Sequence, residues 1–139
     1  MDDSTFTPGE ITISLPKAPS TLTSIRARLG DAPSQAALGL YYTRERRYEE
    51  ALEWLDKAAQ TLPIASVLYY NAAIFSGNSS PEHQRRAVFH LQAAANLNCW
   101  EALQVLASLY VHGEGVPKDL SEASRLIERS KRIRSANGA

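Results

Sequence analysis

Cysteine is almost missing. Cys99 is the only one, so no internal disulfide can hold the fold, which suits a reducing compartment or indifference to redox state. An excess of either charge is missing as well, because fifteen basic and fifteen acidic residues cancel. No global field draws the chain toward nucleic acid, an anionic membrane or an acidic ligand, and partner choice must be local. No apolar run reaches the roughly 18 residues of a membrane span. The opening Met1-Asp2-Asp3-Ser4 carries acid where a secretory leader needs positive charge, so the cytoplasm is the expected compartment. What remains is ordinary: 139 residues, 44% of them apolar, suit one domain with a buried core.

Residues 1–20 differ from the rest. They are rich in Thr, Ser and Pro, with one alternating stretch, Ile11-Thr12-Ile13-Ser14-Leu15, between Pro8 and Pro16. They read as a flexible tail, or as an extended arm that docks in cis or on a partner's sheet edge. From Leu22 the period is helical. Leu22, Ile25 and Leu29 form a leading stripe stopped by Gly30. Tyr48, Ala51, Leu52, Leu55, Ala58, Ala59 and Leu62 form a stronger one, and a further helix is expected from about 64 to 75. Ser80-Pro81 is an N-cap with Pro at the first helical position. Asn98 with Glu101 has capping-box spacing. Gly113-Glu114-Gly115-Val116-Pro117 breaks the helix that follows, and Asp119 opens the last one, expected to run to about 134. Residues 135–139 are expected to form a disordered tail, leaving 21–134 as the helical domain.

Short helices joined by short turns pack as hairpins, and here they repeat. Ala51, Ala87 and Ala123 are 36 residues apart, and seven residues after each stands a small one, Ala58, Ala94 or Ser130. Bulky residues lie three or four beyond the alanines: Trp54 and Leu55, His90 and Leu91, Leu126 and Ile127. In the preceding helices Leu38-Gly39 and Tyr42 align with Tyr70-Asn71 and Ile74, then with Leu106-Ala107 and Tyr110. A small residue lets the partner helix approach, and the large ones beside it, Trp54 among them, fill the gap.

The stretch Ala102-x-x-x-Leu106-Ala107-x-x-Tyr110-x-x-Gly113-x-Gly115-Val116-x-x-Asp119-x-x-x-Ala123 resembles the Sel-one-like repeat, a member of the wider tetratricopeptide-like class. Leu38-Gly39-x-x-Tyr42 followed by Ala51-x-x-Trp54-Leu55-x-x-Ala58-Ala59 is similar to the same repeat without its Gly-x-Gly loop. The middle unit departs most, with Asn71 where Gly or Ala is usual and Ile74 where Tyr is usual. The resemblance implies an all-α fold, a right-handed superhelical solenoid of about three antiparallel hairpins behind one leading helix, and a scaffold or adaptor role without shared catalytic residues.

Side chains able to do chemistry are scattered. His83 and His90 stand two turns apart with no acid or Cys at i+4, and no phosphate loop or nucleophile–base pair is visible. Neither a metal, a cofactor nor enzymatic activity is expected. Arg44-Glu45-Arg46-Arg47 and the run from Arg129 to Arg134 fit a solvated surface and a helix C-terminus better than nucleic acid. In stacked hairpins the first helices line the concave face. Their residues free of the core are expected to include Leu40, Thr43 and Arg44, then Leu68, Ala72 and Phe75, then Gln104, Ser108, Val111 and His112. Leu40, Leu68 and Phe75 could equally be core. The strip suits a protein or peptide partner, so the expected function is that of an adaptor, chaperone or inhibitor of immunity type, monomeric or weakly self-associating. A homo-oligomeric scaffold, or less readily a small-ligand protein, is the alternative.

Overall fold

The computed structural model describes residues 18–77 and 80–138, so the Ile11 to Leu15 arm lies outside the described residues. Among the described residues there are seven helices and no strand: α1 (Thr21–Arg28), α2 (Ala32–Arg44), α3 (Tyr48–Ala58), α4 (Ala65–Phe75), α5 (Pro81–Asn96), α6 (Trp100–His112) and α7 (Leu120–Ala136). The number and order of helices agree with the sequence reading. α7 runs two residues past the expected end, to Ala136.

The helix ends are set locally. Ser20, Asp31, Ser80 and Asp119 each accept a hydrogen bond from the backbone N–H three residues on, satisfying a donor that the helix cannot. Asn98 does not cap α6 as its spacing predicted. It stands at φ +62° and closes α5, with its N–H bonded to Ala95 O while the Cys99 N–H reaches back to Ala94 O. That is a Schellman ending, which asparagine fills because it tolerates the left-handed region. The freed amide oxygen of Asn98 accepts from Arg129 Nη2 at 2.8 Å, pinning the α5–α6 turn to α7. Arg46 ends α2 in the same way at φ +61°, so the shortest of the hairpin turns places a non-glycine residue in a left-handed conformation.

Each helix packs on the next one in the chain, and in addition α2 touches α4 and α4 touches α6. No comparable backbone approach joins α3 to α5 or α5 to α7. The core is correspondingly stepped. One cluster joins Ala36, Ala58 and Ala65, a second joins α3, α4 and α5 around Leu55, Tyr69 and Ala73, and a third joins α5, α6 and α7 around Leu91, Leu103 and Leu126.

Burial reveals the repeat directly. Ala51, Ala87 and Ala123 are all buried, as are Ala58, Ala94 and Ser130, so the second helices share one phase at a spacing of 36. The first helices obey a different spacing. Gln35, Leu38 and Gly39 in α2, Tyr69, Ala72 and Ala73 in α4, and Leu103, Leu106 and Ala107 in α6 are buried at steps of 34. The expected pairing of Gly39 with Asn71 is therefore corrected: the small residue of the middle unit is Ala73, and Asn71 is only half-buried. Trp54 is corrected too. Leu55 is fully buried in its place, and the partly exposed indole carries Lys57 Nζ 4.7 Å above its ring.

Gly39 faces Leu55 so closely that a Cβ there would collide with the leucine's Cγ and Cδ2. Gly39→Ala is expected to lower stability by about 1–3 kcal/mol despite the better helix propensity of alanine. A thermal melt at or above the wild-type temperature would refute the close approach of α2 and α3. Asp119→Ala removes the bond to the Glu122 N–H and is expected to cost about 1 kcal/mol in the same assay.

Candidate interaction surface

Because the buried face of each first helix is fixed, its opposite face is fixed as well. On α2 the half-buried and exposed residues Pro33, Ala37, Leu40, Tyr41 and Arg44 fall on one stripe. Steps of 34 carry Pro33 to Val67 and Glu101, and Leu40 to Ile74 and Ser108. Contacts of α2 with α4 and of α4 with α6 place these stripes side by side.

Of the expected residues on the first and third helices, Leu40, Arg44, Ser108 and His112 fall on this stripe, Thr43 and Val111 flank it, and Gln104 stands at the position of the buried Ala36. Leu40 and Thr43 are half-buried and Arg44 is exposed; Gln104, Ser108 and His112 are exposed, and Val111 is half-buried against the α5–α7 core. Two of their polar groups are already engaged within their own helices. Thr43 Oγ1 donates to Gly39 O at 2.8 Å, and His112 Nδ1 lies 2.9 Å from Ser108 O. The middle helix is different. Ala72 is 0% exposed and belongs to the core, and Leu68 packs against two core clusters. Ala72 is therefore withdrawn from the strip, because the spacing of 34 turns it toward α3. Phe75, 64% exposed, stands at the position of Tyr41 and lies on the stripe beside Ile74, which is 50% exposed and was not among the expected residues. The equal spacing of Gly39, Ala73 and Ala107 was the signal that would have found Ile74.

A cleft of about 180 Å³ opens beside Ile74, walled by Tyr70, Ala73, Ala87, Val88 and Leu109, with Gln84 and Glu114 as its polar members. Burial, with the Glu114 carboxylate nearby, pushes the Tyr70 phenol above its ordinary range, which keeps it a neutral hydrogen-bond donor. Gly115 packs beside the cleft, where an added Cβ would stand 3.1 Å from Val88 Cγ2.

On the other side of the molecule, a polar groove runs between α3 and α5. Asp56 accepts from Arg86 Nη1 at 3.2 Å, and its Oδ1 lies 2.7 Å from Nε2 of His90, which is 5% exposed. The ring of Tyr69 meets His90 edge-on at 5.4 Å. No hydroxyl or thiol is hydrogen-bonded to the His–Asp pair among the described residues, so it has the form of a buried pin between two helices. Sequence reasoning missed it because Asp56 and His90 are 34 residues apart. Cys99 is half-buried; burial first, then the Glu101 carboxylate, pushes its thiol up and disfavours the nucleophilic thiolate. Among the described residues no group of three His, Cys, Asp or Glu side chains could hold a metal ion, and no helix is long and apolar enough to cross a membrane.

No family model matches the chain, and no characterised protein or solved structure matches it either.

Tyr69 gives the site region a pH signature. Burial, reinforced by the Asp56 carboxylate, pushes its phenol up to about 12 from an ordinary value of 10.0. The folded state thus holds this proton more tightly than the unfolded one. The stabilisation is complete below pH 10 and is lost as pH rises through about 12. Denaturant midpoints measured from pH 9 upward are expected to fall across that window, and Tyr69→Phe is expected to make the fall shallower. An unchanged slope in the phenylalanine variant would place the ring in water.

Proposed function

We propose that the chain is a non-catalytic, protein-binding helical-repeat module. Its hairpins stack as a right-handed solenoid, and the strip on α2, α4 and α6 is the concave face. The preferential approach of the first helices to one another supports this curvature, since a row of hairpins bends toward the side on which its helices lie closer. The likeness of residues 102–123 to the Sel-one-like repeat supports the same reading. The third, α5–α7 core cluster is the part of the chain where that likeness is densest.

The observation that carries the function is the pairing of Ile74 with the cleft beside it. A half-exposed aliphatic side chain next to an apolar-walled cavity of about 180 Å³ is the form of an anchor site, in which one buried side chain of a partner supplies much of the affinity. Leu40 extends this apolar ground onto α2, and Ser108 and Gln104 on α6 offer hydrogen bonds at the far end. An amphipathic helix or an extended apolar peptide fits such a strip. Adaptor, chaperone and inhibitor roles all use this form of contact. A lone, half-buried thiol at Cys99 suits a cytoplasmic, reducing setting.

Affinity capture from a lysate of the source organism tests the reading, with captured proteins quantified for each variant. Ile74→Asp is expected to cost roughly 2 kcal/mol or more of binding, while the melting temperature stays close to wild type because the side chain is half in water. Phe89→Asp, on the outward face of α5 and more exposed than Ile74, is expected to change neither. Loss of capture in the Phe89 variant with retention in the Ile74 variant would move the site to α5.

A further inference from the structure

The cleft beside Ile74 is apolar along its walls and negative at one point. Ile74, Val88 and Leu109 supply carbon surface from three helices, and Glu114 carries the only formal charge among the residues that line it. The backbone holds Glu114 in place. Its N–H bonds to Leu109 O at 3.0 Å, just after Gly113 turns the chain at φ +68°. No base forms an ion pair with its carboxylate among the described residues. The other two polar groups of the cleft, Tyr70 and Gln84, also offer oxygen. Burial first, and then the charge of Glu114, push the Tyr70 phenol above its ordinary range, so the carboxylate is felt inside the cleft.

Resting on the protein-binding reading above, we propose that the side chain the cleft receives is a lysine of the partner, with its aliphatic stem along Ile74, Val88 and Leu109 and its ammonium at Glu114. An uncharged apolar side chain would cover the carboxylate and two further oxygen-bearing groups without pairing any of them, which costs desolvation. A carboxylate or phosphate would meet a like charge. A lysine suits both halves of the cleft, since its stem buries as hydrocarbon while its head stays at the rim near water. Glu114 is exposed, so the free protein bears no burial cost for the charge.

Size and shape agree with this occupant. An apolar cavity of about 150 Å³ admits benzene, a lysine side chain has fewer heavy atoms than benzene, and the cleft measures about 180 Å³. The donors agree as well. An ammonium directs its N–H groups apart, and the cleft offers oxygen from separate residues, Tyr70, Gln84 and Glu114. A guanidinium instead favours both oxygens of one carboxylate in a planar fork, and that fork is wider than a methylene stem.

Methyl NMR of the full chain tests this, with n-butylammonium as the probe because it is the lysine side chain alone. n-Butanol and butyrate serve as neutral and anionic counterparts at constant ionic strength. Shifts of the Ile74 and Val88 methyls locate the binding. The ammonium is expected to bind about three- to fivefold more tightly than the alcohol, the scale of one exposed ion pair, and butyrate more weakly than either. Glu114→Gln, at an exposed position, is expected to keep the wild-type melting temperature and bring the ammonium and the alcohol to equal affinity. Equal affinities in the wild type, or a preference that survives Glu114→Gln, would overturn the lysine assignment and leave Ile74 as an apolar anchor. Tightest binding by butyrate would overturn it in favour of an anionic occupant. Methyl shifts unmoved by all three probes would overturn it together with the anchor site, a result separate from that of capture by the Ile74→Asp variant.

Discussion

The close approach of α2 to α3 at Gly39 and Leu55 is the constraint on which the remaining geometry rests. Leu55 is fully buried only because the residue opposite has no Cβ. Ala73 and Ala107 stand at the corresponding points of α4 and α6 and are both buried. A small residue at this point fixes the rotation of each first helix, because only that face can come so near its partner. Rotation in turn decides which side chains enter the core and which are left on the opposite stripe. The strip with Leu40, Ile74 and Ser108 is thus a consequence of where glycine and alanine sit.

Two spacings coexist in one repeat, and the connections absorb the difference. First helices recur at 34 residues and second helices at 36, so each hairpin turn is longer than the one before. The α2–α3 turn is held by Arg46 in a left-handed conformation, whereas the α6–α7 connection uses Gly113 and Gly115 at positive φ before Asp119 caps α7. The Asp119 N–H returns to Tyr110 O at 2.9 Å, so the longer loop remains tied to α6. Length was added where glycine could turn the chain and a backbone hydrogen bond could hold it.

What the sequence made legible follows from range. The helix count, the caps at Ser80 and Asp119, and the 36-residue phase of the second helices rest on neighbours within a few residues, and these were readable. The register of α4 was not, because Asn71 and Ala73 are both small enough to pass for the contact residue and only packing distinguishes them. The facing of α1 was not legible for a similar reason: an apolar stripe normally marks the inward face, yet Ala27 is the buried residue and Leu22, Ile25 and Leu29 are exposed. The pairing of Asp56 with His90 joins two helices 34 residues apart, and nothing local in either helix announces it. On α4 the same register error put Ala72, which is buried, on the exposed face and left out Ile74, while Phe75 is exposed.

The strip and the polar groove divide the work of the surface by chemistry. Asp56 carries both Arg86 and the buried imidazole of His90, so its charge is committed to holding two hairpins in place, while His83 Nδ1 in the same groove is buried with no hydrogen-bond partner among the described residues. A ligand at Asp56 would have to displace partners that are already satisfied, which costs the desolvation of each. The strip has the reverse character. Thr43 and His112 bond to their own helices, leaving Leu40, Ile74 and the adjoining cleft as apolar surface in contact with water. Covering that surface releases water and breaks no existing pair. On the function proposed above, the order Leu40, Ile74, Ser108 would set a direction, with an apolar partner segment over α2 and α4 and its polar end toward α6.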